Sequence, residues 1–238
     1  YTWGDLFNAR QKLALITFAE HIRLADEKMR FAAYEERFAR AVTTYLALIL
    51  SRHSSYNASL CWWEITGERS FNVFGRQALP FVYDYSEQWP FGPLTGNWPS
   101  QTDISLDIIS HLSNVCPNPV NNSVAQASAT QLGHPDEHFD AVLTDPPYYD
   151  NVPYSHLSDY FYVWLKRVIG HLYPDLFSTP LTPKSAEIVA YSNRKGGFEA
   201  GKQFFENNLA SAFQEIYRIL KRGGVASIVY THKSTTGW

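Results

Sequence analysis

The sequence predicts an α/β fold, a parallel-sheet portion preceded by a helical N-terminal segment, and three observations carry that reading. Residues 9–25 and 31–52 hold apolar side chains at helical spacing. From about residue 124 the pattern changes to short strands alternating with helical stretches, which in one sheet implies right-handed crossovers between parallel strands. The pair Pro146-Pro147 stops one of those strands at its carboxyl end, because proline lacks an N–H and fixes φ. The change of pattern divides the chain into a helical and aromatic segment, 1–100, and a sheet-bearing segment, 101–238, which stops just after a strand.

In the first segment Asn8 is placed to cap a helix whose stripe is Leu15, Phe18, Ala19 and Ile22. A second, long amphipathic helix is predicted over 31–52, with Phe31, Tyr34, Phe38, Ala41, Val42, Tyr45 and Ile49 as its apolar face. Residues 54–100 read as irregular and aromatic, and end in turn formers (QWPFGPLTGNWPS). A short helix is predicted over 103–113. In the second segment Val124 to Ala129 reads as a short strand and Thr130 to His138 as a polar loop. Phe139 to Thr144 (FDAVLT) reads as an apolar strand buried on both faces. Leu157, Tyr160, Phe161, Trp164, Leu165 and Val168 mark a helix. A longer one, from about Glu199 to Lys221, carries Phe205, Leu209, Ala212, Phe213, Ile216 and Leu220. Gly223 and Gly224 are expected to stop it, with Val225 to Tyr230 as the next strand.

Composition narrows the function classes. Aromatic residues make up 16% of the chain, which calls for a large core or for stacking surfaces. The formal net charge is −3, so nucleic-acid binding has to come from local clusters rather than from the chain as a whole. The two cysteines, Cys61 and Cys116, form no CxxC pair, and the eight histidines show no metal-ligand spacing. A disulfide framework and a metal site are therefore not expected, and Cys61 and Cys116 read as small buried apolar groups in a reducing, cytoplasmic compartment. No run of about 18 apolar residues occurs, and the first residues carry no signal-peptide pattern.

The chemistry concentrates in the stretch FDAVLTDPPYYDNVPYSHLSDYFYVWLKR, Phe139 to Arg167. Asp145 and Tyr148 are held in a rigid turn at a strand's carboxyl end, the edge at which open α/β sheets bind ligands. The competing reading is a stiff turn in which Asp145 merely caps the next helix. Tyr149, Asp150 and Asn151 either line the same cleft or decorate the turn. Tyr160, Phe161 and Trp164 lie on a helical stripe and are expected in the core, while Tyr154 is a weaker stacking candidate.

Asp-Pro-Pro-Tyr after such a strand resembles the catalytic motif of S-adenosylmethionine-dependent amino methyltransferases acting on adenine N6. Together with WGDLFNARQKL, FGRQALPFVYDYSE, LKRGGVASIVYTHKSTTGW and the SATQL loop, it resembles the large prokaryotic adenine-specific DNA methylases that carry an N-terminal domain of unknown function. The resemblance runs over most of the chain. It implies part of a Rossmann-like class I methyltransferase fold, with S-adenosylmethionine as cofactor, DNA as substrate and Asp145, Pro146, Pro147 and Tyr148 as the catalytic turn. The motif makes chemical sense on its own terms. An exocyclic amino nitrogen is a poor nucleophile because its lone pair is delocalised into the ring. The Asp145 carboxylate and the Pro146 carbonyl, accepting its two N–H protons, draw that lone pair back onto nitrogen. Tyr148 offers a face for a base taken out of the duplex, and no metal or covalent intermediate is needed.

Within the same resemblance, Ser128, Ala129 and Thr130 occupy the place that holds the cofactor's adenine ring, where many relatives carry an acidic residue. Phe7, with Asn8 and Arg10, falls in the segment near the cofactor's methionine end, although an ordinary helix start explains it as well. Arg194 and Lys195, in a small basic loop, are candidates for phosphate contact, and His232 and Lys233 follow the last strand at the ligand-bearing edge. One element is missing: the sequence contains no Phe-x-Gly-x-Gly loop of the kind that lets the backbone approach the cofactor. The chain is thus expected to be the catalytic and DNA-facing portion of a longer protein, needing the N-terminal remainder and binding the cofactor weakly by itself. A cytosine-N4 or RNA amino methyltransferase, and a non-catalytic nucleic-acid-binding module, stay open beside the adenine reading. Restriction, phage defence and regulation are equally compatible with it.

Overall fold

The computed structural model describes residues 2–93, 95–115, 123–191 and 196–230. It mixes helices with a small parallel sheet, an α/β composition in the broad sense, and divides into two compact units. Unit 1 comprises residues 1–120 and 155–183, and unit 2 comprises residues 121–154 and 184–238. The division does not follow the 1–100 and 101–238 segments drawn from the sequence, since residues 101–120 and 155–183 cluster with the N-terminal helices.

Unit 1 opens with a 3-10 turn, Trp3–Leu6, and continues into α1, Ala9–Phe31. Asn8 caps α1 as expected: its side chain accepts from the Gln11 N–H at 2.9 Å, and the Gln11 side chain accepts from the Asn8 N–H at 2.9 Å. The helix runs six residues beyond the predicted 9–25 span and stops where Ala33 turns left-handed at φ +58°. The Tyr34 N–H there reaches back to the Met29 carbonyl at 3.1 Å, a Schellman-type ending usually given to glycine. Helix α2 then covers Glu36–Ser54 and α3 covers Trp98–Val115. The face α2 buries includes Ala39, Thr43, Ala47 and Leu50, with Ile49 of the predicted stripe buried beside them. Phe31, Tyr34, Phe38 and Tyr45 are exposed, which corrects the predicted stripe: small residues let α1 and α2 approach closely while the rings face outward. The irregular 54–100 stretch contains a hairpin that the sequence did not announce, β1 (Trp62–Glu64) antiparallel to β2 (Arg69–Phe71).

Helix α4, Tyr154–Ile169, supplies the centre of this core from Ser155 onward. Tyr160 is fully buried, with Phe7, Phe74, Phe161 and Trp3 rings around it, and its hydroxyl donates to the Ser54 carbonyl at 2.8 Å. Trp164 and Val168 follow at helical spacing, so the stripe assigned to the core is in the core. Cys61 is buried as expected, and burial pushes its thiol up to about 11. Cys116 lies outside the described residues.

Unit 2 is built on β3 (Phe139–Thr144) paired in parallel with β4 (Leu220–Ile228), with α5 (Gly197–Ile219) leading directly into β4. Two expectations are corrected here. Gly223 and Gly224 do not stop a helix. The helix ends at Ile219, Leu220 is already extended, and the glycines lie inside the strand, where the register jumps from Phe139↔Leu220 to Ala141↔Val225. Gly223, at φ +80°, supplies the left-handed residue such a bulge needs. Nor is β3 buried on both faces: Leu143 is 79% exposed, and Val225 opposite Ala141 is exposed too. The predicted strand over 124–129 is absent as well. Residues 123–127 carry no regular structure, Val124 is exposed, and only an isolated bridge joins Ser128 to Gln131. Alternating Val, Ala and Ser give that stretch too little apolar surface to hold a strand in place.

A charged network ties the segment before β3 to α5. Arg218 donates to the His134 and Leu132 carbonyls and pairs with Asp136 and Glu215, while Glu215 also accepts from the Leu132 N–H. The hydrogen bonds from Arg218 and from the Leu132 backbone bring the Glu215 carboxyl down to about 2 from an ordinary 4.5. A depressed folded-state value stabilises the fold above the unfolded-state pKa, and that contribution disappears as pH falls from about 4.5 toward about 2. Thermal unfolding followed over that window is expected to show a steeper acid loss for the wild type than for Glu215→Gln. Parallel curves would remove this network from the account.

Candidate functional site

The parallel pairing puts the carboxyl ends of β3 and β4 at one edge of the sheet, and the Asp-Pro-Pro-Tyr turn sits there. The Val229 N–H donates to the Thr144 carbonyl at 2.9 Å, so pairing persists to the residue before Asp145. Tyr230, one residue further on, lies edge-on to Tyr148, with ring centroids 5.9 Å apart and planes at 83°.

Asp145 is exposed rather than turned into the interior. Its Oδ1 accepts from the Tyr148 hydroxyl at 2.5 Å, which folds the phenol back over the carboxylate. That hydrogen bond, with smaller help from desolvation and the carboxylate's charge, raises the Tyr148 phenol above its ordinary value. The sign follows directly: ionising a phenol that donates to a carboxylate sacrifices the bond and sets two negative charges together. In Asp145→Ala the Tyr148 phenol is expected to titrate at lower pH, read from the ring ζ-carbon of labelled tyrosine with Tyr148→Phe as the assignment control. An unmoved titration would mean that the bond is not formed in solution. The Pro146 carbonyl accepts no hydrogen bond among the described residues.

The turn is held from behind. Tyr149 adopts a left-handed backbone at φ +54°, an uncommon state for a residue with a bulky side chain. It is kept there by the Ala190 N–H, which donates to the Tyr149 carbonyl at 3.1 Å, and by Phe205, whose ring lies edge-on at 5.2 Å. Ala190 is in turn clamped against α5. Gly201 is buried so closely that a Cβ there would stand 2.4 Å from the Tyr191 carbonyl oxygen. Asn151 closes the turn through its N–H to the Tyr148 carbonyl at 3.0 Å. Among the described residues its buried side-chain Oδ1 has no partner, and an unmet acceptor of that kind costs about 1–3 kcal/mol.

The sequence-derived site therefore divides in two. Asp145, Pro146, Pro147, Tyr148, Tyr149 and Asn151 are brought together in one turn. Ser128, Ala129 and Thr130 form a separate small turn in which the Ser128 hydroxyl meets Thr130 Oγ1 at 2.8 Å and accepts from the Thr130 N–H at 3.3 Å. These hydroxyls are committed to each other. Phe7 is buried against Tyr160 and Trp164, with centroids at 5.6 and 5.4 Å. It is a packing residue of the unit 1 core. Arg194, Lys195, His232 and Lys233 lie outside the described residues. The sequence reading missed Tyr230 and Ala190, whose roles depend on strand register and on one backbone bond. Only the parallel pairing of VASIVY with FDAVLT hinted at the first.

Among the described residues, no group of three or more His, Cys, Asp or Glu side chains is placed to hold a metal ion, and no helix is long and apolar enough to cross a membrane. Compared with known proteins, the chain matches no family model, no curated protein and no solved structure.

Proposed function

We propose that this chain is the catalytic portion of an adenine-N6 DNA methyltransferase, built on part of a Rossmann-like fold and working in the cytoplasm. One observation carries the reading: an exposed carboxylate and a carbonyl uncommitted among the described residues stand in consecutive residues at the carboxyl end of a parallel strand, beside an aromatic ring.

The chain's own residues act on the acceptor amine. A base extruded from the duplex lays its ring on Tyr148, gaining about 1–3 kcal/mol from stacking. Its amino group replaces the Tyr148 hydroxyl at Asp145 Oδ1 and donates its second N–H to the Pro146 carbonyl. With both protons held in fixed directions, the nitrogen pyramidalises and its lone pair points away from the ring. Prepaid orientation of this kind is a large part of the rate in transfer reactions. The proton released on methylation passes to the Asp145 carboxylate or onward to water.

For S-adenosylmethionine, the methyl donor that the motif implies, the described residues do not form a cradle. The Ser128 and Thr130 hydroxyls are turned to each other, and Phe7 is enclosed by rings. In this reading the cofactor is held chiefly by an N-terminal portion of the same protein, and the isolated chain binds it weakly. Micromolar binding by the isolated chain in calorimetry would contradict that assignment. The same lack of a cradle favours one alternative, a nucleic-acid-binding module that keeps the turn as scaffold.

The test uses the full gene product, labelled cofactor and DNA, with wild type beside Asp145→Ala. Label recovered as N6-methyladenine and lost in the variant supports the proposal. Label on cytosine assigns the other amine, and retained DNA binding without label assigns the binding module.

A further inference from the structure

Unit 1 contains a cavity of about 880 Å³ between one face of the β1–β2 hairpin and the loop that follows it. Its floor is the cross-strand pair Trp62 and Phe71, whose rings lie 4.7 Å apart. Phe81 and Tyr83 stand on the loop side in an edge-to-face pair at 5.2 Å, and they are 84% and 99% exposed. Two charged groups complete the wall, Arg76 and Asp84. Unlike Arg10, Arg30, Arg69, Arg218 and Arg222, Arg76 has no carboxylate partner among the described residues.

Leaving two large rings almost wholly in water has no folding benefit, and an aromatic-lined cavity of this size with a few polar groups is the usual form of a ligand site. Flat apolar faces call for a planar ring, and an unpaired guanidinium calls for an anion, best a phosphate, which it engages through a planar fork. A carboxylate on the same wall suits an exocyclic amino group. A nucleotide unit carries all three features.

We propose that this cavity seats one nucleotide of a single-stranded nucleic acid, its base among the Trp62, Phe71 and Tyr83 rings and its phosphate on Arg76. The assignment rests on the nucleic-acid substrate proposed above, and it adds a second contact in a unit separate from the Asp145 turn. Stacking of this type tolerates any base, and the Asp84 carboxylate adds only a preference for bases that carry an amino group.

The test is fluorescence anisotropy with a labelled mixed-sequence oligonucleotide of roughly 12 nucleotides, within the span such sites cover. It compares the wild-type chain with Arg76→Ala, Phe81→Ala, Tyr83→Ala and, as surface control, Tyr217→Ala, another highly exposed ring. Tyr83→Ala is expected to weaken binding by about 10-fold or more. Arg76→Ala is expected to weaken it and to flatten the salt dependence by about 0.7 in log–log slope, one phosphate's worth for a single strand. Tyr217→Ala is expected to bind like wild type. Because the three aromatic substitutions remove exposed surface rings, circular dichroism of each variant should match the wild type. The proposal is overturned if the wild-type chain does not bind the oligonucleotide, or if the Arg76 and Tyr83 variants bind unchanged. It is equally overturned if free AMP binds as tightly as the strand, or if a polyproline peptide is the ligand that Tyr83→Ala loses. Loss of binding in Tyr83→Ala with no methyl transfer by the full protein keeps this site and removes the methyltransferase. Methyl transfer with unchanged Tyr83→Ala binding does the reverse.

Discussion

Asp145→Ala is expected to lower methyl transfer by the full protein about 10²–10³-fold, the scale seen when one preorganised polar group aimed at a reacting centre is removed. The thermal midpoint should stay where it is. Asp145 is exposed, and its recorded side-chain hydrogen bond is to the neighbouring Tyr148 hydroxyl, so deleting the carboxylate leaves no buried group unsatisfied. Activity and stability thus separate at this residue. Asp145→Asn sharpens the point: the amide keeps one acceptor oxygen but cannot take up a proton, so it should fall between wild type and alanine. Tyr148→Phe keeps the ring and frees the carboxylate, and its loss should be far smaller than that of Tyr148→Ala. A rate for Asp145→Ala within about 10-fold of wild type would place the chemistry elsewhere.

The second large effect belongs to unit 1. Tyr160→Ala is expected to destabilise the protein by about 3–5 kcal/mol, the range for removing a buried aromatic ring. The cavity would open among Trp3, Phe7, Phe74 and Phe161, and the Ser54 carbonyl would lose its donor. Tyr160→Phe isolates the hydroxyl and should cost about 1 kcal/mol. For a chain of this length the alanine variant then melts roughly 10 °C lower. Chemical denaturation of the three proteins checks both values, and a Tyr160→Ala midpoint indistinguishable from wild type would mean that this ring cluster is not the core. Helix α4 starts at Tyr154, ten residues after β3 ends, so one short stretch of sequence carries both the proposed chemistry and a structural centre.

That closeness explains what was legible in the sequence. Where the local chain decides the outcome, the reading held: Asn8 caps α1 because its side chain reaches three residues ahead, and Tyr160, Trp164 and Val168 share a face because a helix repeats every 3.6 residues. The Asp-Pro-Pro-Tyr turn belongs to the same class, since proline's own ring sets it. Where the outcome depends on remote partners, the sequence was silent or misleading. FDAVLT has the composition of a fully buried strand, yet what covers a strand is decided by its neighbours, and β3 pairs only with β4 among the described residues. Gly223-Gly224 suits a helix stop and a strand bulge equally, and the choice fell to the register against Phe139 and Ala141. The end of α1 was invisible because Ala33 takes the left-handed place that glycine would have marked. At the site, Tyr148's bond to Asp145 and Tyr149's strained backbone could not be read from residue types.

The most direct measurement of the central claim is a crystal structure of the full protein with an adenine nucleoside in the turn. The account predicts the amino nitrogen about 3 Å from both the Asp145 carboxylate and the Pro146 carbonyl, the ring against Tyr148, and the Tyr148 hydroxyl displaced from Asp145. A nucleoside bound elsewhere, with the Tyr148–Asp145 bond intact, would contradict it.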